Sequence, residues 1–213
     1  MRTYLIPIVG LVACGGVPKP QPQPPGSRGP HASEHLTAAR EHEENAREQS
    51  MYPDTRVDST GRVDQLLIGT TWHTRWDTVA DQERAAATHR SEAQAIYAAY
   101  EDACGQRAVA DISVSPITKY GLGGSVSADG VVLYLSADAG AADQLIADLK
   151  CHRAWMRLAP ANMDACPLDL AGLQVDAKGS GEGITLTLTV TDRTLVPELQ
   201  RRAAHDLEIV HHH

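Results

Sequence analysis

Two stretches in the C-terminal half alternate between apolar and polar positions and then change period. Residues 130–152 read GVVLYLSADAGAADQLIADLKCH and residues 183–205 read GITLTLTVTDRTLVPELQRRAAH. They align over 23 positions without a gap, with Gly130 on Gly183, Leu133 and Leu135 on Leu186 and Leu188, and His152 on His205. Period-two alternation marks a strand with one buried face, because successive side chains point to opposite sides of a sheet. In each copy an Asp-containing loop follows, and then an amphipathic helix. Its buried stripe is Leu145, Ile146 and Leu149 in the first copy and Leu195, Leu199 and Ala203 in the second. A hairpin turn precedes each strand, Ser127-Ala128-Asp129-Gly130 in one and Gly179-Ser180-Gly181-Glu182-Gly183 in the other. Strand-strand-helix repeated in this way predicts an α+β domain, a four-stranded antiparallel sheet with two helices on one face. Strand order is not written in the pattern, but a ferredoxin-like plait with its last strand moved to the front satisfies it.

The N-terminal half has a different period. Residues 32–50, ASEHLTAAREHEENAREQS, are rich in Ala, Glu and Arg, with Ser33 as a candidate N-cap and Pro53 as a stop. Residues 79–106 form the longest helical pattern, in which Val79, Ala86, His89, Ala93, Ile96, Tyr100 and Ala103 recur at threes and fours. Gly105 is the natural C-terminal stop. This seam is thin, since most of its members are alanine. The two helices pair as a hairpin or lean on the C-terminal domain. Between them, Trp72 and Trp76 share a helical face and read as a hydrophobic plug.

The first residues change the picture of where this chain works. Arg2, an apolar run from Leu5 to Val12, and Leu11-Val12-Ala13-Cys14 have the order of a secretory signal that ends in a lipobox. The run is far shorter than the ~20 apolar residues that span a bilayer. Cys14 is therefore expected to be lipidated, with cleavage before it. Residues 17–30, VPKPQPQPPGSRGP, read as an extended proline-rich spacer. The expected organisation is a signal peptide at 1–13, a linker at 14–30, a helical region at 31–107 and the α+β domain at 108–213. A formal net charge of −8 disfavours a nucleic-acid partner. The core must be built from Leu, Val, Ile and Ala, because the chain contains no Phe.

With Cys14 acylated, Cys104, Cys151 and Cys166 remain for one disulfide and one thiol in an oxidising compartment. Cys151–Cys166 closes the shortest loop and is the expected pair, with Cys104–Cys166 as competitor. For metal, His31, His35 and His42 fall on one helical face with Glu34 and Glu41 nearby, a donor set suited to Zn or Cu. Should His31 precede the helix, the remaining pair is two turns apart and too distant to chelate. Cys151-His152 reads as a half-cystine beside a surface histidine. The terminal His211-His212-His213 would bind metal adventitiously. Gly121-Leu122-Gly123-Gly124 lacks the Lys-Ser/Thr of a phosphate loop, and neither a nucleophile elbow nor a zincin motif is present, so no catalytic residue and no cofactor are expected.

Cys104, Asp111-Ile112-Ser113-Val114-Ser115-Pro116, Cys151-His152 and Cys166-Pro167-Leu168 together resemble uncharacterised cell-envelope lipoproteins of deltaproteobacteria. The resemblance implies a helical N-terminal half on a lipid-anchored envelope protein and carries no activity. In lipoproteins of this kind a non-acidic residue after the lipidated Cys, here Gly15, favours the outer membrane, facing the periplasm. The functional expectation is a non-catalytic binding or structural module, held to the bilayer through Cys14, with an envelope protein as a possible partner. The alternative is a periplasmic Zn or Cu protein using His31, His35 and His42.

Overall fold

The computed structural model describes residues 26–51, 75–105, 107–158 and 165–211. Cys14, Trp72 and most of the proline-rich spacer lie outside these residues, as do the side chains of Trp76 and of the terminal histidines. Strands β1 (Gly121–Ser127), β2 (Gly130–Leu135), β3 (Leu173–Ser180) and β4 (Gly183–Val190) form one antiparallel sheet in the order β1-β2-β4-β3. Moving the last strand of a ferredoxin-like plait to the front gives this order. Each unit then runs through a short 3-10 turn, Ala137–Ala139 or Arg193–Leu195, into helix α5 (Ala142–Met156) or α6 (Val196–His211).

The internal repeat has a geometric meaning. On the central strand pair Leu133 sits opposite Leu186, its own counterpart in the alignment, so a pseudo-twofold axis passes between them. The two leading glycines occupy matching crowded positions. A Cβ on Gly130 would lie 2.0 Å from the Leu188 carbonyl oxygen, and one on Gly183 would lie 2.3 Å from that of Leu135. Glycine at both starts lets the two hairpins cross at backbone contact distance. His152 and His205 share no role, because the first is buried and the second exposed.

Leu133, Leu135, Ile184, Leu186, Leu188, Leu145, Leu149 and Leu199 make the core between sheet and helices. The opposite sheet face carries Tyr134, Thr185, Thr187 and Asp176 and is exposed or half-exposed. Helix α6 brings two charged side chains inward. Arg202 is fully buried, with Nε on Glu198 at 2.7 Å and Nη1 on the Cys166 carbonyl at 3.3 Å. One turn later, burial pushes the Asp206 carboxyl up to about 7. A carboxyl that holds its proton better folded than unfolded contributes most below its unfolded pKa, and that contribution is lost as pH rises through the folded value. The urea midpoint is therefore expected to fall between about pH 4 and about pH 7, and Asp206→Asn should flatten that limb. An identical slope in the variant would assign the pH dependence to other groups.

Helix α1 (Ala32–Met51) and helix α2 (Arg75–Cys104) pack antiparallel, since His35 meets Glu92 while His42 meets Gln82. Their seam is mainly alanine: Ala32, Ala39, Ala46, Ala86 and Ala93 are buried along it, with Val79 at one end. The expected hairpin is present, and it also leans on α5. Helix α2 ends one residue before Gly105, whose φ of +58° suits the expected stop. Helix α1 begins at Ala32, two residues earlier than a Ser33 cap requires, with Glu34 accepting the His31 N–H at 2.7 Å. The N–H groups of Ala32 and Ser33 donate to the carbonyls of Arg157 and Leu158, so the positive end of α1 abuts the negative end of α5.

Two expectations are corrected. The disulfide joins Cys104 to Cys151, not Cys151 to Cys166. Loop length favours the shorter pairing by only about 1 kcal/mol, whereas helix faces decide the geometry. Cys151 lies on the side of α5 turned to α2, with Cys104 and Ile112, while Cys166 sits in the main core. Residues 26–30 are also not free spacer. Ser27 bridges to Leu170, the Ala171 N–H donates to the Gly26 carbonyl at 2.8 Å, and Arg28 pairs with Asp169 at 3.1 Å. Helices α3 (Val109–Ile112) and α4 (Pro116–Tyr120), between hairpin and sheet, had no periodic signal to announce them.

Candidate functional site

A cleft with a volume of about 480 Å³ opens where the hairpin meets α5. Ala95, Ile96 and Ala99 of α2 form an apolar wall, and Arg28, Lys150, Arg153 and Arg157 form a basic one. Lys150, Arg153 and Arg157 share a face of α5 because they are spaced by three and four. Arg28 arrives from the docked residues before α1 and is locked there, Nε on Asp169 and Nη2 on the Arg153 carbonyl at 2.5 Å. Arg153 donates through Nε to the Leu168 carbonyl at 3.0 Å, and Arg157 donates through Nη1 to the Arg28 carbonyl. These bonds fix the guanidinium positions through one nitrogen each of Arg153 and Arg157, out of five N–H donors per group. Burial lowers the pKa of both arginines, and the Arg28 charge beside them lowers it further. Like charges crowded at an apolar wall are stabilised by an anion that enters between them.

A second constellation sits in the middle of the hairpin seam. The Nδ1 atoms of His35 and His89 are 3.1 Å apart, and Glu92 Oε2 lies 2.9 Å from the first and 3.2 Å from the second. His35 is buried at 8 % exposure, while His89 and Glu92 form the accessible rim. His42 stacks on His89 with ring centroids 5.5 Å apart and hydrogen-bonds Gln82 at 2.6 Å. His31 takes no part: it precedes α1 and pairs with Glu34 at 2.8 Å. Burial alone would raise the Glu34 carboxyl, but the two His31 contacts hold it below its ordinary value. The expected trio His31, His35 and His42 is thus divided. His35 finds its partners on the opposite helix, and His89, read from sequence only as a seam residue, replaces the other two.

Cys151-His152 is a half-cystine beside a buried histidine, not a surface one. His152 Nδ1 meets the Ile112 carbonyl at 2.6 Å, and burial lowers its pKa. Cys166 is a buried thiol pushed up to about 12 by burial, with Asp206 adding to the shift. Such a thiol is a poor nucleophile.

No protein-family model, curated protein or solved structure matches this chain. No helix among the described residues is long and apolar enough to cross a membrane.

Proposed function

We propose that this protein is a lipid-anchored, non-catalytic module of the bacterial envelope that binds an anionic group on an apolar stem. The observation that carries the reading is the cleft in which Arg28, Lys150, Arg153 and Arg157 face Ala95, Ile96 and Ala99. Its volume lies within the range of small-molecule sites. A chain of net charge −8 that gathers four cations on one cleft does so against its overall balance. The apolar wall suits an acyl or other hydrocarbon stem, and the basic wall suits a phosphate or carboxylate.

Lipidation at Cys14 rests on Leu11-Val12-Ala13-Cys14. Gly15 supports the outer membrane, facing the periplasm, and the Cys104–Cys151 disulfide supports an oxidising compartment. Arg28 lies fourteen residues after Cys14, so the tether holds the cleft within at most roughly 50 Å of the anchor. An anionic lipid is the ligand that this arrangement favours.

Calorimetric titration of the unlipidated mature chain with monomeric short-chain phosphatidylglycerol tests the reading. One saturable site is expected, weakened by salt and at least about tenfold weaker in Lys150→Glu and Arg157→Gln. Phosphatidylcholine of the same chain length should bind no more tightly than those variants. Equal affinity for both lipids, or wild-type affinity in both variants, defeats the proposal.

A further inference from the structure

We propose that His35, His89 and Glu92 form a site for a divalent first-row transition metal, with Zn²⁺ as the reference ion, that ties α1 to α2. The inference does not rest on the basic cleft. It starts from three polar atoms that converge in a seam otherwise lined by alanine.

The triangle made by the two Nδ1 atoms and Glu92 Oε2 has edges of 2.9, 3.1 and 3.2 Å. Neutral imidazoles satisfy it poorly. If both Nδ1 atoms carry protons, two N–H groups crowd together on one carboxylate oxygen. If only one does, a nitrogen lone pair faces that oxygen across about the same distance. A cation at the centre accepts all three lone pairs at once. In a tetrahedral zinc site with bonds of roughly 2.0–2.1 Å, neighbouring ligand atoms stand roughly 3.3 Å apart. The observed edges are close to that spacing, so small shifts of three side chains suffice. Two imidazoles and one carboxylate suit a borderline divalent metal better than Ca²⁺ or Mg²⁺, which prefer all-oxygen shells.

Placement adds to the chemistry. His35 is held on α1 between Ala32 and Ala39, while His89 and Glu92 are one turn apart on α2, so the ligand set spans both helices. The alanine seam buries little apolar surface per residue, and an ion bridging its middle would supply cohesion that the seam lacks. The half-exposed Glu92 leaves an entry path, and a fourth position remains for water.

The test uses the full mature chain carrying His211→Ala, His212→Ala and His213→Ala, which removes the adventitious terminal cluster. Titration with Zn²⁺ alone is expected to give one equivalent of binding and a rise in Tm. His35→Gln and His89→Gln should each weaken binding at least about tenfold and abolish the rise in Tm. Glu92→Gln, on the exposed rim where folding is not at risk, should weaken binding as well, and His31→Gln should leave it unchanged. Absence of stoichiometric binding, wild-type affinity in Glu92→Gln, or dependence on His31 overturns the proposal.

Discussion

Removing the Cys104–Cys151 disulfide, by reduction or by Cys104→Ser with Cys151→Ser, is expected to lower the unfolding free energy by about 4 kcal/mol. That magnitude follows from the sequence separation of 47 residues and the chain entropy released when the bridge opens. It is a large share of the stability of a domain of this size. The loss should concentrate where the bridge acts, at the C-terminal turn of α2 and its contact with α5. There Tyr100, Ala103, Ile112 and Trp155 surround the two sulfurs. Hydrogen exchange should accelerate in the last turns of α2 well before it does in β2 and β4. Non-reducing peptide mapping should link Cys104 to Cys151 and find Cys166 as a thiol that reacts with alkylating reagents only after unfolding. A stability change under about 1 kcal/mol would show that packing alone seats the hairpin.

Leu186→Ala should cost about 3–5 kcal/mol, as for other fully buried leucines whose neighbours cannot close the cavity. Leu186 has no exposed surface and lies on the pseudo-twofold axis opposite Leu133, within the core between sheet and helices. Thr187→Ala, one residue along and on the opposite sheet face, should cost within about 0.5 kcal/mol. Urea titration of the two variants measures the contrast. Equal losses would mean that the two faces of the sheet are not distinguished as the register requires.

The sheet was legible in the sequence because both its signals are local. Alternation in GVVLYL and GITLTLTV fixes which face is buried, and the ungapped repeat fixes the order of elements, so strand order was the one missing fact. The axis through Leu133 and Leu186 supplies it, since two like units related by a twofold place β2 beside β4. The hairpin was legible for the same reason, from threes and fours in α2.

What was not legible depends on partners brought from afar. The disulfide turned on which side of α5 bears Cys151, and loop length said nothing about that. His89 could not be joined to His35 without the antiparallel register of α1 and α2. The cleft was half visible: Lys150, Arg153 and Arg157 lie at helical spacing, but Arg28 belongs to residues that read as spacer. Its pairing with Asp169 depends on a segment 141 residues away.

The basic cleft at the foot of the hairpin is the proposed binding surface. An NMR titration of the isotope-labelled chain with monomeric short-chain phosphatidylglycerol locates the ligand on the protein. Saturable shifts are expected at Ala95, Ile96, Ala99, Lys150, Arg153 and Arg157, with the open sheet face around Tyr134 and Thr187 unmoved. Shifts centred on that sheet face, or none at saturating lipid, would rule the cleft out as the lipid site.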